Sequence, residues 1–360
     1  MTETIGERLK SLRKKHHFTQ KQIADYLEFQ QGQIAKLENN QRKLKVSSLE
    51  KLCELYNCDE EYILEGIEDN YDPKIAFRSN VKNLNLNTIA DMNKIIKNIE
   101  FLSDITSDMD ESSIEQNDNY LELSEKANMC RKLWGIDEIT PIDIFRVVLE
   151  KVKNVTICFF NKEDNLSGSS IKIKDQNIIF INSKHSLGRQ RFTLAHEIYH
   201  LKYDEEFGVC DLDHGNDSVE EKADRFASFL LMSNAALFNY ELENNIKEWD
   251  LDKVIQAEQY FQISHKAMLR KLTDLGRISE ETAEEYLPSI MYNAQSRGYD
   301  LKLYNPFSED ENLILGNYIN MVKKAYDNDC ISKSKKNELL IDGFCESLVY
   351  NDIETDDLIE

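Results

Sequence analysis

The chain has 360 residues, of which 41% are hydrophobic, and its formal net charge is −22. This length and apolar content predict two or three hydrophobic cores, and the acidic excess excludes a protein that coats nucleic acid over its whole surface. The seven cysteines form no Cys-x-x-Cys pair and no apolar run reaches 18 residues, so we expect reduced thiols, no membrane span and a cytoplasmic location.

The N-terminal sequence predicts five short helices, at residues 5–15, 19–27, 30–39, 47–56 and 60–64. Thr19 and Gln22 have the spacing of a capping box at the start of the second helix. Five apolar residues have the spacing that packs two helices around a tight turn: Ile23, Ala24, Leu27, Ile34 and Leu37. Residues 1–51 carry a net charge of +5, which leaves −27 on the remainder. This first module could therefore make a specific, salt-sensitive contact with DNA.

Residues 19–41, TQKQIADYLEFQQGQIAKLENNQ, resemble the helix-turn-helix of lambda-repressor-like (XRE-type) DNA-binding domains. The resemblance implies that the third helix enters the major groove of double-stranded DNA and that the protein could bind a palindrome as a homodimer. It also implies four contacts in the groove, from Gln30, Gln31, Gln33 and Lys36. A fifth contact, from Gln20, is to the phosphate backbone. Glutamine suits the groove because its amide can pair with adenine. Glu28 stands where the turn usually has Gly, and the alternative is a helical bundle that binds only protein.

Residues 69–120 are predicted to form a helical connector followed by an acidic hinge. Ile89, Met92, Ile96 and Ile99 form a helical stripe, and residues 103–119 contain six acidic residues and no basic one. Two further helices are predicted at residues 121–133 and 141–152.

The pattern then changes to period two. Residues 155–160, 170–174 and 177–182 predict strands, with a turn at residues 175–176, and indicate a small antiparallel sheet. A substrate peptide could add to the edge of such a sheet as a further strand. The alternative is a sheet that only covers the core.

Residues 196–200, HEIYH, carry the main chemical signal of the chain. His196 and His200 lie one helical turn apart, so their imidazoles project side by side and could hold one Zn²⁺. Glu197 lies on the flank, where it could act as the general base in peptide hydrolysis. The alternative is a surface or core histidine pair, but burying these groups without a metal or partners would be costly.

The next helix, predicted at residues 219–232, offers a third ligand. Glu220 could complete a His₂Glu site with an open fourth position, and Asp224 could hold the remaining N–H of a ligand histidine. Glu221 and His214 are alternative ligands. These carboxylates could also be a solvated acidic face at a helix N-terminus. Zn²⁺ is the expected ion, although Mn²⁺ could replace it.

The segment FTLAHEIYH (192–200) with EEKADRFASFLLM (220–232) resembles the ImmA/IrrE family of metallopeptidases. The resemblance covers about residues 123–290 and implies a gluzincin-like, zincin-fold enzyme. It implies His196, His200 and Glu220 as zinc ligands and Glu197 as the base. Tyr199 stands where a Gly is frequent before the second histidine, and Ser233 where a Pro usually follows.

These observations predict an α+β protein with four parts. Residues 1–68 form an all-α five-helix DNA-binding domain, 69–120 the connector and hinge, 121–290 a mainly helical zinc peptidase domain with a small antiparallel sheet, and 291–360 a helical C-terminal extension. A turn like that of a second helix-turn-helix, at residues 263–272, is expected to pack on the peptidase domain.

The predicted function is a transcriptional regulator with metal-dependent endopeptidase activity. The family resemblance implies that its substrate is a repressor protein, often an XRE-type repressor, whose cleavage derepresses stress, phage or mobile-element genes. One alternative is a non-proteolytic one-component DNA-binding regulator whose metal site is structural or sensing, closed by a fourth ligand such as His214 or Cys210. Another is a toxin–antitoxin or phage-defence component.

Overall fold

The computed structural model describes residues 3–66, 85–106, 121–160, 166–203, 218–308 and 312–350. Within these ranges the protein has the predicted α+β fold, in which helices surround one small sheet. None of the helices in these ranges combines the length and the apolar composition that crossing a bilayer requires.

The helices are as follows: α1 (Ile5–Lys15), α2 (Gln20–Tyr26), α3 (Gln31–Glu38), α4 (Val46–Tyr56), α5 (Glu60–Glu65), α6 (Leu86–Thr106), α7 (Leu123–Leu133), α8 (Ile144–Lys151), α9 (Leu187–Tyr203), α10 (Val219–Leu231), α11 (Asn234–Glu243), α12 (Leu251–Phe261), α13 (His265–Asp274), α14 (Glu280–Tyr286), α15 (Ile290–Ser296), α16 (Asn317–Asp327) and α17 (Lys333–Asp342). The strands are β1 (Val155–Phe160), β2 (Gly168–Ile173), β3 (Gln176–Asn182) and β4 (Leu313–Gly316).

The N-terminal helices α1 to α5 match the five predicted helices to within a residue or two at each end. The predicted capping box is present, because Thr19 Oγ accepts from the Gln22 N–H at 3.2 Å and Gln22 Oε1 accepts from the Thr19 N–H at 2.9 Å. The five apolar residues predicted to join α2 and α3 are buried in one core. Glu28 has a φ of 57°, a left-handed conformation that favours Gly. The turn therefore keeps its backbone shape despite the unusual residue.

Helix α6 belongs to two hydrophobic cores at once. Its first part, with Ile89, packs into the core of α1 to α5, and its second part, with Ile96, packs against the sheet together with α16 and α17. The Asn93 amide donates to two carbonyl oxygens near the end of α4, at 2.8 and 3.2 Å. Residues 103–106 of the predicted hinge are the last residues of this helix, and residues 107–119 lie outside the described residues.

The four strands form one sheet in the order β2-β3-β1-β4. The pairs β2–β3 and β1–β4 are antiparallel, but β1 and β3 are parallel, so the sheet is mixed and not antiparallel as predicted. The hairpin between β2 and β3 explains the difference, since its turn signal fixes only that pair and says nothing about how β1 joins them. The turn itself lies at residues 174–175, one residue earlier than predicted, with Lys174 at a φ of 54°.

The segment predicted as a helical C-terminal extension contributes a strand to this sheet. Strand β4 pairs with β1 from Leu313 to Gly316, and α16 and α17 then cover one face of the sheet. Residues 351–360 lie outside the described residues.

Alternating side chains along β1 face two different cores. Ile157 and Phe159 face the core that contains α9 and α10, whereas Cys158 and Phe160 face the core of α6, α16 and α17. The sheet therefore separates the two cores, and α9 lies on one side of it.

The expected second helix-turn-helix-like turn is formed by α12 and α13, with Gln262 at a φ of 57° between them. Met268, Leu269 and Leu272 of α13 are buried in the same core as α9 and α10. This burial agrees with the expectation that the segment packs on the peptidase domain.

Candidate metal centre and DNA-binding helix

Helices α9 and α10 bring together the histidines and the carboxylate that the sequence singled out. His196 Nε2 lies 3.0 Å from His200 Nε2 and 3.1 Å from Glu220 Oε2. The second oxygen of Glu220 lies 3.7 Å from His200 Nε2. Among the described residues, His196, His200 and Glu220 are the group of three that could hold a metal ion.

These separations fit a divalent ion. Zinc binds histidine nitrogen and carboxylate oxygen at about 2.0–2.2 Å, so two ligand atoms of a tetrahedral ion lie about 3.4 Å apart. The distances of 3.0, 3.1 and 3.7 Å lie on both sides of this value. Two nitrogens and one carboxylate are also a donor set that zinc accepts in catalytic sites, with the fourth position left for water or substrate.

Two carboxylates make the centre favourable for positive charge. Asp224 Oδ1 lies 2.9 Å from His196 Nδ1, on the side of the ring away from Glu220. Burial alone lowers the pKa of His196, but the hydrogen bonds to Asp224 and Glu220 outweigh it and raise the pKa to about 9. His196 and His200 in turn hold the pKa of Glu220 well below its usual range, because both donate hydrogen bonds to its carboxylate. The negative charge of Asp224 and Glu220 beside the histidines favours a cation at this position.

Small side chains let α9 and α10 approach closely. Ala223 and Ala227 of α10 are fully buried. Tyr199 fills the space beside them, with its ring centroid 5.4 Å from that of Phe226. The substitution of the usual Gly by Tyr199 is therefore accommodated by aromatic packing.

The residue in place of the usual Pro also has a structural role. Ser233 caps α11, because its Oγ accepts from the Ala236 N–H at 2.9 Å, and it donates to the Glu138 carbonyl oxygen at 3.0 Å.

Glu197 is buried beside β2. Its Oε2 accepts a hydrogen bond from Ser170 Oγ at 2.7 Å. Gly168 lies next to it on the same face of β2, where an added Cβ would lie 3.4 Å from Glu197 Oε1 and only 2.4 Å from Thr193 Cγ2. The Glu197 carboxylate is thus held by strand β2, which lies close against α9. The sequence pattern assigns Ser170 only to a strand, although a polar side chain on the face toward α9 is a signal of a further role.

Arg270 of α13 extends the network around the metal centre. Its Nη1 donates to Asp224 Oδ2 at 3.1 Å, while Oδ1 of the same carboxylate faces His196. Arg270 could not be singled out from the sequence, because its local pattern does not indicate that Asp224, 46 residues away, is its partner.

The alternative ligands are placed differently or lie outside the described residues. Glu221 Oε2 accepts from the Ser218 N–H at 2.8 Å, so this carboxylate caps α10 and is not in the group. His214 and Cys210 lie in residues 204–217, outside the described residues.

The DNA-contact candidates of α3 differ in exposure. Gln30, Gln31 and Lys36 are exposed, and the space around Gly32 is open to 4 Å. Gln33 is half-buried, and its Oε1 accepts from the Gln30 N–H at 3.2 Å. The exposed surface of α3 is thus formed by amide, glycine and ammonium groups.

Gln20, the candidate for a phosphate contact, is bound within the domain. Its Nε2 donates to Glu38 Oε2 at 2.9 Å, and Arg13 Nε donates to Glu38 Oε1 at 2.6 Å. The Arg42 guanidinium lies 4.8 Å from the ring centroid of Phe29, just before α3.

Comparisons with known proteins agree with this geometry. Residues 6–68 match the family of helix-turn-helix domains, and residues 150–273 match the IrrE N-terminal-like domain of peptidase family M78. The chain therefore joins an XRE-type helix-turn-helix domain to a domain of the ImmA/IrrE metallopeptidase family.

No curated protein matches the chain. A solved structure titled "Crystal structure of PrgX/iCF10 complex" aligns over 98% of this chain and 98% of that chain, at 13% sequence identity. Its TM-score is 0.17, a value too low to carry an argument about fold or function.

Proposed function

We propose that this protein is a DNA-binding transcriptional regulator whose second domain is a zinc-dependent endopeptidase. The observation that carries the proposal is the convergence of His196, His200 and Glu220 beside a buried Glu197. We propose that its substrate is a repressor protein, of the XRE type, and that cleavage derepresses the genes which that repressor silences.

The reaction assigns one role to each side chain. His196, His200 and Glu220 would hold a divalent ion, which would supply the Lewis acidity that lowers the pKa of water and polarises the scissile carbonyl. Glu197 takes the proton of the attacking water and delivers it to the departing amide nitrogen, so that the C–N bond breaks into an amine and a carboxylate. Asp224 holds the Nδ1 proton of His196, which directs the Nε2 lone pair toward the ligand side.

Strand β2 is the proposed docking site for the substrate backbone. It has β3 on one side, and no described strand pairs with its other edge. An extended peptide added there would be held by main-chain hydrogen bonds beside Glu197. Zinc is the proposed ion, and Mn²⁺ could replace it, because a His₂Glu donor set discriminates weakly between them.

The helix-turn-helix domain is proposed to bind double-stranded DNA through residues 1–66, with α3 in the major groove. Exposed Gln30, Gln31 and Lys36 support this orientation. We propose a homodimer on a palindromic site, because such domains pair their recognition helices across a two-fold axis.

The test combines metal analysis with proteolysis. The purified protein is incubated with an XRE-type repressor, with and without a chelator, beside the variants Glu197→Gln and Glu284→Gln. Glu284 is an exposed carboxylate of α14 and serves as the matched control. We expect cleavage by the wild type and by Glu284→Gln, and none after chelation or in Glu197→Gln. Equal cleavage by Glu197→Gln would remove the hydrolytic mechanism, and bound metal without any cleavage would favour a regulator with a sensing site.

A further inference from the structure

Arg189 lies on the same face of α9 as the two candidate ligand histidines. Residues 189, 193, 196 and 200 follow the helical repeat, so Arg189 shares one face with Thr193, His196 and His200. Seven residues separate it from His196, which places it about 10 Å toward the start of the helix at 1.5 Å per residue.

Strand β2 runs alongside this face in the same direction as α9. Arg189 Nη2 donates to Ser167 Oγ at 2.8 Å, just before the strand begins. One residue on, a Cβ at Gly168 would meet Thr193, and at the other end Ser170 bonds to Glu197 at 2.7 Å. The step from residue 167 to 170 covers about 10 Å at 3.3 Å per residue. A peptide paired with the open edge of β2 would therefore pass Arg189 about three residues away from the bond beside Glu197.

The charge of Arg189 is not balanced by a carboxylate among the described residues. Its hydrogen bond goes to the neutral hydroxyl of Ser167. Arg191, two residues on, lies 3.6 Å from Asp143, and Arg270 lies 3.1 Å from Asp224. Arg189 is exposed, so a carboxylate of a bound peptide can reach its guanidinium. Partial desolvation lowers the pKa of this group.

We propose that Arg189 is a specificity-determining residue that selects substrates with an acidic side chain about three residues from the scissile bond. The guanidinium offers several N–H donors in one plane, which match the two oxygens of an Asp or Glu carboxylate. The inference rests on the proposed peptidase function and names the class of peptide that this function would act on.

The test measures peptide binding separately from cleavage. The probes are fluorescein-labelled decapeptides that carry a single Asp, Asn or Lys at each position in turn, and the protein is zinc-loaded Glu197→Gln, which holds peptides without cutting them. Fluorescence anisotropy gives the affinity of each peptide. Three further substitutions are each added to this Glu197→Gln protein: Arg189→Glu, Arg189→Gln and the control Lys247→Glu. The control reverses an exposed charge in the loop before α12.

At one position we expect the Asp peptide to bind about tenfold more tightly than its Asn counterpart. Arg189→Gln should abolish the difference, Arg189→Glu should favour the Lys peptide, and Lys247→Glu should change neither. An Asp preference that survives both Arg189 changes, or a set of peptides that bind without discrimination or not at all, overturns the inference. If the preference depends on Arg189 but the wild type cleaves no peptide, the inference stands and the peptidase proposal fails.

Discussion

Replacement of Asp224 by Asn changes the charge next to the proposed metal ligands while keeping the shape of the side chain. The carboxylate contacts His196 Nδ1 at 2.9 Å and Arg270 Nη1 at 3.1 Å. The amide of Asn can still accept a hydrogen bond from the imidazole, but it no longer attracts a cation. We therefore expect Asp224→Asn to weaken zinc binding without unfolding the domain.

The solvent exposure of Asp224 and Arg270 determines how much zinc affinity each substitution should cost. Loss of a carboxylate that orients a ligand histidine typically lowers metal affinity 10- to 100-fold. The Asp224 side chain is 33% exposed and Asn retains one acceptor, so we expect the lower end, about tenfold or about 1.4 kcal/mol. The Arg270 side chain is 57% exposed, and solvent screening reduces its ion pair with Asp224 to about 0.5 kcal/mol. Arg270→Ala alone should therefore change zinc affinity no more than about twofold. Because Arg270 acts through Asp224, Arg270→Ala should have no further effect in the Asp224→Asn background.

Competition with a fluorescent zinc chelator measures these affinities, and circular dichroism checks the fold. His196→Ala serves as the variant that loses a ligand, and Glu284→Gln as the control that loses a distant carboxylate. Zinc affinity within twofold of the wild type in Asp224→Asn, together with a large loss in His196→Ala, would refute the role assigned to Asp224. Additive effects of the Asp224 and Arg270 changes would show that the arginine acts independently.

Three further predictions follow from described contacts. Ser170→Ala removes the hydroxyl that holds Glu197, so kcat should fall about tenfold while zinc affinity, measured by the same competition, stays unchanged. Burial raises the pKa of Glu38, but its hydrogen bonds, led by the one from Arg13, outweigh burial and lower the pKa. The stability that these hydrogen bonds contribute is therefore present above about pH 4.5 and is lost as the pH falls through the lowered pKa. Glu38→Gln should cost about 3 kcal/mol at neutral pH and flatten this acid dependence, as measured by hydrogen exchange of residues 3–66 in the full chain. Lys36→Ala should reduce the slope of log K against log salt for DNA binding by about 1, and an unchanged slope would remove Lys36 from the phosphate contacts.

Features encoded by short-range patterns could be predicted from the sequence. The capping box at Thr19, the alternation along residues 155–160 and the one-turn spacing of His196 and His200 each depend on residues within a few positions of one another. Such patterns determine local backbone and side-chain direction directly, so the helices, most strand ends and the juxtaposition of His196 and His200 agree with the structure.

Features that depend on distant segments could not be predicted in this way. Strand β4 joins β1 although more than 150 residues separate them, and no turn signal records that pairing. The parallel pairing of β1 with β3 is likewise decided by packing of both faces rather than by local sequence. Arg270 reaches Asp224 only because α13 packs on the core of α9 and α10, a contact that periodicity within α13 does not specify.

Helix α6 has a thermodynamic consequence for the whole protein. Ile89 is buried with the helix-turn-helix core and Ile96 with the core behind the sheet, so neither part can shift along this helix without exposing apolar surface. Asn93 and the Lys97–Asp59 ion pair add polar contacts across the same junction. If α6 shifts when the helix-turn-helix domain binds the proposed DNA, the shift would therefore reach the sheet beside the candidate metal centre. By reciprocity, any factor by which the proposed DNA ligand altered the affinity for the proposed substrate would equal the factor by which the substrate altered the affinity for DNA.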